Sequence, residues 1–445
     1  MFKYFPHTEN DLFAMKAKIG IRNTADLFRD IPENVAFRRD YDIPSAMSEI
    51  ELRKHLEALA AENKTPIVFS GMGAYDHYNP AIIAQLVNRE EFLTAYTPYQ
   101  PEVAQGTLQY IFEFQSMVAM LSGMEVANAS MYDGATATAE AMFMGLAIAK
   151  RNKFLVSATV SPFVLDVIKT YAHFRGVEIV MVPMKDGVID RDELLALIGD
   201  DIAGLIVQKP NFYGIIEDYT GIADQLHAKK AILIENNDIS TLAVLKTPSD
   251  DGADIACGDC QSLGMPLAFG GPYLGYMATK KAYARKLPGR IVGQSFDKNG
   301  KRAYVLTLQA REQHIRREKA NSNICSNQSL MALYATIYLA LMGPDGLKEV
   351  NEMAYSGAHY LYDELLKTGK FFVAFEQPFL KEFVVKTSLP PDLIRHALDE
   401  AGMFAAVVID ETASGMQMLL NFAVTEKRTK KEIDCLVAVL GGLSC

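Results

Sequence analysis

Residues 258–275 read GDCQSLGMPLAFGGPYLG, a polar cluster and a Gly-Gly-Pro turn directly after the strand-like run 253–257. In α/β proteins, ligands bind beyond the carboxyl ends of parallel strands, so this segment lies where a catalytic loop is expected. It nevertheless contains no lysine, histidine or arginine. The segment is therefore placed like a binding site but lacks a cationic catalytic group.

Cys257 and Cys260 have the C-x-x-C spacing of redox motifs and of half zinc sites. A zinc site usually has a second ligand pair, which the sequence does not offer, and a redox motif usually opens a helix near the N-terminus. We therefore expect two ordinary core cysteines and no metal site. The five cysteines, an odd number, do not form a disulfide framework, and the predicted location is a reducing cytoplasm.

The segment 69–78, FSGMGAYDHY, leaves a predicted strand and includes Ser70 and His77. Its two glycines would let the backbone approach a ligand closely. The alternative is a plain surface loop.

The segment 96–102, YTPYQPE, carries Tyr96, Tyr99, Gln100 and Glu102 between two prolines. The prolines stiffen the chain outside helix and sheet, so these side chains keep fixed relative positions. Such a segment can line a substrate channel, although tyrosines that simply pack on a rim would give the same pattern.

Asp133 precedes an alanine-rich helical run at YDGATATAE. A helix N-terminus can hold a phosphate, but the Asp133 carboxylate can cap those N–H groups itself. The residue therefore favours a capped helix over a phosphate site.

The stretch 311–325 is rich in charge and includes Arg311, His314, Arg316 and Arg317. Its default interpretation is a solvated helix face with local ion pairs. Because arginine is favoured at interfaces, we also expect this stretch to contact a partner.

The elements that must position these residues follow from composition and periodicity. The chain has 445 residues, of which 49% are apolar, so a large core is expected. The net charge of −10 disfavours nucleic-acid binding. The first 16 residues lack the apolar centre of a secretory signal, and the longest apolar run, 330–342, is too short to span a bilayer.

Strand-like runs alternate with helical patterns from residue 67 onward, which predicts a mostly parallel sheet covered on both faces. We expect an N-terminal helical arm (1–66), a large α/β domain (67–328) and a small C-terminal α+β domain (329–445). Residues 298–300, Lys-Asn-Gly, predict a hairpin turn. The sequence contains neither a G-x-G-x-x-G fingerprint nor a P-loop, which disfavours nicotinamide and nucleotide enzymes.

Five segments together resemble the P-protein family of the glycine cleavage system, specifically the first subunit of its two-subunit form. They are YTPYQPE, NASMYDGATATAEAM, VQKPNFYGIIED, GADIACGDCQSLGMPLAFGGPYLG and LQAREQHIRREKANSNIC, in the family's order. The resemblance implies the fold of fold-type I pyridoxal-phosphate (PLP) enzymes. It also implies an activity in which glycine is decarboxylated on the cofactor and the aminomethyl group passes to the lipoyl arm of the H-protein.

The resemblance also explains why the loop has no lysine. In the two-subunit form the second subunit carries the cofactor lysine, and alignment on residues 270–272 puts Gln261 at that position in this chain. The PLP would then be held covalently by the partner and not here. The acid that pairs the pyridinium nitrogen in this fold would correspond to Glu235 or Asp238, and the sequence leaves both open.

The resemblance implies an obligate pair with subunit 2, in an α2β2 assembly, and contacts with lipoylated H-protein and glycine, but with no nucleic acid or membrane. Tyr96, Tyr99, Gln100 and Glu102 would then reach the shared site, together with Ser70 and His77 in the 69–78 segment.

Three rival interpretations come from other classes of function. The chain could be a stand-alone PLP enzyme with its lysine at Lys209 or Lys246. It could be a purely structural scaffold for a catalytic subunit. It could also be a thiol or metal protein that uses the C-x-x-C pair.

Overall fold

The computed structural model describes residues 4, 6–37, 39–320, 322–325, 327–410 and 418–443. It divides into two compact units, Met1–Lys64 and Thr65–Cys445. The finer division at residues 66 and 328 stays a prediction.

The helices of the described residues run from four residues to several turns. They are α1 (Glu9–Ile19), α2 (Glu49–Ala61), α3 (Ala81–Val87), α4 (Glu90–Leu93), α5 (Gln105–Ser122), α6 (Gly134–Ala149), α7 (Pro162–Arg175), α8 (Arg191–Leu197), α9 (Ile222–Ala228), α10 (Gln313–Arg316), α11 (Ser329–Lys367), α12 (Pro391–Glu400) and α13 (Lys430–Gly441).

The strands fall into one large sheet and several small ones. They are β1 (Ile67–Val68), β2 (Val126–Ala127), β3 (Lys153–Ser157), β4 (Glu178–Val182), β5 (Met184–Lys185), β6 (Val188–Ile189), β7 (Gly204–Gln208), β8 (Ile232–Asp238), β9 (Ile255–Asp259), β10 (Gly275–Thr279), β11 (Ile291–Phe296), β12 (Arg302–Thr307), β13 (Phe371–Val373), β14 (Glu382–Thr387), β15 (Met403–Phe404), β16 (Val407–Asp410) and β17 (Met418–Ala423).

The first unit consists of α1, α2 and a short 3₁₀ turn, Thr24–Phe28. Helix α2 begins with a capping box, in which the Ser48 N–H donates to Glu51 Oε2 at 2.8 Å. Neither α1 nor α2 has a buried residue, so within the structure these helices have no core of their own.

The large sheet has seven strands in the order β2-β10-β9-β8-β7-β3-β4. Strands β4, β3, β7, β8 and β9 pair in parallel, whereas β10 runs antiparallel to both of its neighbours. This confirms the predicted mostly parallel sheet. Alternate residues supply the two faces: Leu155 packs with the helices on one side, and Phe154 and Val156 pack on the other.

The C-terminal part folds around a four-stranded antiparallel sheet in the order β13-β14-β17-β16. Helices α12 and α13 and the second half of α11 cover it, and their core includes Leu361, Phe383, Phe422 and Leu436. The predicted hairpin is also present, as β11 and β12 pair antiparallel around residues 297–301.

Helix α11 is long and apolar enough to cross a membrane by length and composition alone. Its backbone breaks at Gly343, where φ is 61° and ψ is −174°, and Pro344 follows. Ala332, Tyr338 and Leu361 from the two halves are buried in the cores described above. The segment therefore serves as two core helices that join the large sheet to the small one.

Candidate functional site

A cavity of about 290 Å³ opens at the carboxyl ends of β7, β8 and β9, where an α/β fold binds its ligands. We call it the strand-end cavity. Its lining combines these strand ends with the start of α6, the 69–78 loop and the residues that begin β14. The polar side chains among them are Ser161, Gln208, Asn211, Asn236, Asn237, Asp238, Thr241, Asp259, Gln261, Ser262, Tyr273, Lys381 and Glu382, with the Tyr75 hydroxyl.

Gln261 lies in this cavity wall with 1% of its surface exposed. Its Oε1 accepts the Tyr75 N–H at 2.8 Å, and its Nε2 donates to the carbonyls of Tyr75 and Met265, each at 2.8 Å. The amide therefore uses both donors and its acceptor within the protein. Its role here is to hold the 69–78 loop against the end of β9.

Two carboxylates occupy the N-terminus of α6. Asp133 Oδ1 accepts the Thr136 N–H at 2.8 Å, which confirms the predicted cap. Asp259 Oδ2 accepts the Gly134 N–H at 3.0 Å. This approach requires glycine at residue 134, because a Cβ there would lie 2.9 Å from the Asp259 nitrogen. A phosphate would meet two carboxyl groups at this helix end instead of free N–H groups.

Burial raises the pKa of Asp259 to about 7, and the neighbouring Asp133 and Asp238 add to the shift, although N–H donation from Gly134 and Gln261 opposes it. Sequence reasoning missed Asp259 because its partner Gly134 is 125 residues away in the chain.

The structure decides which acid faces the cavity. Asp238 lines it, whereas Glu235 is fully buried beneath it and pairs with Lys209 at 3.3 Å. Burial acts to raise the pKa of Asp238, but Lys381 and Ser262 together lower it below its ordinary value. The Asp238 carboxylate is therefore held as an anion and is already paired.

Lys381 is the one lysine that lines this cavity in the described part of the chain. Its Nζ lies 2.5 Å from Asp238 Oδ2, 3.1 Å from His77 Nε2 and 4.0 Å from the centroid of the Tyr75 ring. An ammonium held by these partners is engaged and buried. It could not be found from sequence, since no local motif surrounds it.

The 69–78 loop lines its own chain's cavity rather than an open surface. His77 is 3% exposed and its Nδ1 lies 2.7 Å from Glu426 Oε2, while Ser70 is also buried. Glu382 accepts the Met72 N–H at 2.5 Å and the Tyr75 hydroxyl at 2.7 Å. These bonds fasten the loop to the C-terminal sheet.

The 96–102 segment lies elsewhere and is largely exposed. Tyr96 is 82% exposed, and Gln100 and Glu102 are exposed as well. Tyr99 packs on His314, with ring centroids 5.4 Å apart, and contacts Arg290. The structure thus brings the 96–102 and 311–325 segments together around Arg290. Sequence reasoning missed this residue because the Pro-Gly pair before it forms no recognisable functional motif.

The expected helix face over 311–325 is wrong. The described residues there form one four-residue helix, α10 (Gln313–Arg316), between two short 3₁₀ turns, Gln309–Arg311 and Arg317–Lys319. Arg311 is half-buried and donates to the carbonyls of Leu287, Leu308 and Gly289, so it stabilises its own chain. Arg316 and Arg317 are exposed, and their predicted interface role stays a prediction.

The cysteines and lysines on which the rival interpretations depend do not offer a reactive group to the strand-end cavity. Cys257 and Cys260 are fully buried, and burial raises the pKa of the Cys257 thiol to about 12. Lys209 is 2% exposed and pairs with Glu235 and Asp251. Lys246 is exposed and bonds Thr220, outside the cavity lining. None of these residues presents a free nucleophile to the cavity.

A family model described as glycine cleavage system P-protein matches residues 2–440. The chain belongs to this family. It is 48% identical to a Carboxydothermus hydrogenoformans protein and 49% identical to one from Moorella thermoacetica, each over 99% of both chains. Both relatives carry the name probable glycine dehydrogenase (decarboxylating) subunit 1.

Solved structures agree with this assignment. A glycine decarboxylase (P-protein) of the glycine cleavage system, crystallised in inhibitor-bound form, is 40% identical and superposes with a TM-score of 0.90 over 99% of both chains. The Lactobacillus brevis glutamate decarboxylase is 13% identical and covers 93% of this chain, with a TM-score of 0.68, which shows the shared fold. The P-protein chain thus has the expected fold of fold-type I PLP enzymes.

The strand-end cavity of this P-protein chain nevertheless does not fit PLP. Gln261 offers no amine, the phosphate-binding helix end is occupied by Asp133 and Asp259, and Lys381 is committed to Asp238. The cavity has the position of a cofactor site, but the groups that would bind the aldehyde, the phosphate and the ring nitrogen of PLP are replaced or already bonded within the protein.

Replacing Gln261 by lysine will not create a PLP site. The substitution breaks three amide hydrogen bonds, each contributing on the order of 1 kcal/mol, so urea denaturation should show a loss of about 3 kcal/mol in stability. Borohydride reduction with PLP followed by mass spectrometry should give no adduct at residue 261. The control is Gln225→Lys, which adds the same amine at an exposed position of α9 and should leave stability nearly unchanged. Tight cofactor binding by the Gln261→Lys protein would show that the cavity still accepts PLP.

Asp259→Asn should become more stable relative to the native protein as the pH rises from about 5 to 7. The folded carboxyl keeps its proton up to about pH 7, whereas the unfolded one loses it near 3.8, so the native protein loses stability as pH rises through this window. The slope is about 1.4 kcal/mol per pH unit, and the asparagine does not titrate.

Urea denaturation of both proteins at the two pH values measures this difference. The control is Asp250→Asn, because the lowered pKa of that exposed carboxyl, set mainly by its hydrogen bonds to Thr247, places its titration below the window. An equal pH response of the Asp259→Asn and native proteins would contradict a protonated, buried Asp259.

Proposed function

We propose that the chain is one subunit of a two-subunit glycine decarboxylase, and that it lacks the lysine that binds PLP covalently. It acts in the glycine cleavage system only together with a second subunit. One observation carries the proposal. Gln261, at the lysine position of the cofactor loop, is saturated by hydrogen bonds inside a chain that matches the family model from residue 2 to 440. The names of its relatives, which call them subunit 1, support the division of labour.

In this division the second subunit holds PLP covalently, and the cofactor supplies an electron sink for the loss of CO2 from glycine. The H-protein lipoyl arm receives the aminomethyl group. The pair forms an α2β2 assembly without nucleic acid or membrane, and it works in the cytoplasm.

This chain completes the shared site from its exposed 96–102 segment. Tyr96 and Tyr99 can donate hydrogen bonds through their hydroxyls and Gln100 through its amide, and none of the three adds charge at neutral pH. Their exposure leaves them available to a partner. Ser70 and His77 are less suited to this role, because the loop that carries them is fastened within its own chain.

A purely structural scaffold is the second candidate function. It is favoured by the same fastened loop and by the ion pair between Lys381 and Asp238. In that case the 96–102 segment would support the partner's fold without touching its substrate.

The isolated chain should show no glycine-dependent CO2 exchange with H-protein present, because its cavity has no free amine for an imine with PLP. Activity should appear when the second subunit is added in equal amounts. The isolated second subunit is the matched control. Robust exchange by this chain alone would support a stand-alone enzyme and refute the partner-dependent one.

Replacing Arg316 and Arg317 together by alanine should weaken association with the second subunit. Loss of a buried interfacial charge pair costs about 2–5 kcal/mol, so the dissociation constant should rise by more than about tenfold. Analytical ultracentrifugation of mixed subunits measures it. Alanine at Arg285 and Lys286, another exposed basic pair, is the control and should leave assembly intact. An unaltered dissociation constant in the first variant would place the interface elsewhere.

A further inference from the structure

A second cavity, of about 270 Å³, adjoins the 96–102 segment. We call it the Arg290 cavity. Its polar lining comes from Tyr96, Thr97, Thr107, Tyr110, Arg290, Asn327, Gln328 and Ser329. The Tyr110 hydroxyl and Ser329 Oγ bond each other at 2.5 Å, and Asn327 Nδ2 donates to Ser130 Oγ at 2.5 Å, so part of this lining is already engaged. Arg290 is the only charged side chain among the lining residues that the structure describes.

Arg290 is 3% exposed, yet its hydrogen-bonding capacity is largely unused. One terminal nitrogen donates to the Tyr99 hydroxyl at 3.3 Å and approaches the Cys325 sulfur at 3.8 Å. Its Nε is buried without a hydrogen-bond partner in the described part of the chain, and lies 3.6 Å from Glu312 Oε2. A guanidinium has five N–H donors, and buried donors are normally all satisfied.

The first turn of α11 faces the same cavity. Gln328 and Ser329 line it, and the Gln328 side chain makes no capping hydrogen bond to the helix. A long helix carries partial positive charge at its N-terminus through its free N–H groups. Two independent sources of positive potential, a buried guanidinium and an uncapped helix end, therefore meet at one cavity.

We propose that the Arg290 cavity is an oxyanion-binding subsite that this chain contributes to the shared active site. The ligand is a carboxylate or a phosphate monoester, because both match the planar fork of arginine and the N–H groups of a helix end. The proposal rests on the proposed function, which supplies both sources: the carboxylate of the amino-acid substrate and the phosphate of the cofactor held by the second subunit.

Glu312 is the counterion that allows the Arg290 guanidinium to be buried while no ligand is bound. Its side chain is 3% exposed, it lies 3.6 Å from both Arg290 and His314, and its Oε1 has no hydrogen-bond partner within the described residues. At this distance it neutralises Arg290 without forming the short paired bonds that would occupy the guanidinium. An incoming oxyanion can therefore bind the unused donors.

The test uses the reconstituted complex of this chain with the second subunit. The double variant Arg290→Gln with Glu312→Gln removes the guanidinium without leaving a buried carboxylate unpaired. Two constants are measured: the dissociation constant of PLP from titration of the apo complex by absorbance, and the KM for glycine against kcat. One of them should rise by about 10- to 100-fold, the loss expected for a hydrogen bond to a charged group. A change in PLP affinity identifies the phosphate as the ligand, and a change in glycine KM identifies the carboxylate.

Glu312→Gln alone is the matched control, because it removes the competing carboxylate and keeps the arginine. It frees the guanidinium for the ligand, so it should lower the same constant, and a weakening of binding would contradict the subsite. Arg290→Lys keeps the charge and loses the fork, so it should weaken the same constant by a smaller factor even if the double variant fails to fold.

If the double variant assembles and both constants stay at their native values, the oxyanion subsite is refuted. If the double variant does not assemble, native values for Arg290→Lys refute it. A native complex that binds PLP but does not turn over glycine would instead contradict the proposed function and leave the PLP titration as the test of the subsite.

Discussion

Burying a carboxylate costs free energy unless donors or cations surround it, and the strand-end cavity is arranged around this constraint. Asp238 and Glu382 come from different sheets, yet each finds its partners across the boundary between them. Lys381 pairs with Asp238 at 2.5 Å, and the Tyr75 hydroxyl donates to Glu382 at 2.7 Å. The contacts that satisfy these acids therefore also join the large sheet, the 69–78 loop and the C-terminal sheet.

The same constraint separates this chain from a cofactor-binding one. A PLP cavity must keep an amine, a phosphate-binding helix end and a carboxylate available for a ligand. Here the protein supplies a partner for every such group: Asp259 receives the Gly134 N–H, and Gln261 is bonded to Tyr75 and Met265. The Arg290 cavity shows the opposite arrangement, a buried cation with unused donors. The two cavities therefore differ in whether their polar lining groups already have hydrogen-bond partners within the protein.

The sequence predicted what depends on neighbours in the chain. Runs such as β3 and β7 are apolar enough to read as buried strands, and the Asp133 cap is a contact over three residues. Strand β8 continues through the polar residues Asn236 and Asn237 because they pair with the neighbouring strands β7 and β9. Lys381 and Arg290 could not be predicted, since they act on residues brought close only by the fold. The identity of Gln261 as the lysine position came from resemblance to the family and not from periodicity.

The hydrogen bonds of Gln261 also bear on the evolutionary history open to this chain. A lineage regaining cofactor chemistry would have to replace the glutamine, free the helix end of Asp133 and Asp259, and release Lys381 from Asp238. Each step taken first leaves buried groups without partners, so its stability falls before any catalytic benefit exists. Such sign epistasis disfavours a change of this cavity into a cofactor-binding one. Selection can then change the surface of this subunit and its contacts with a partner far more readily than it can produce a working cofactor site.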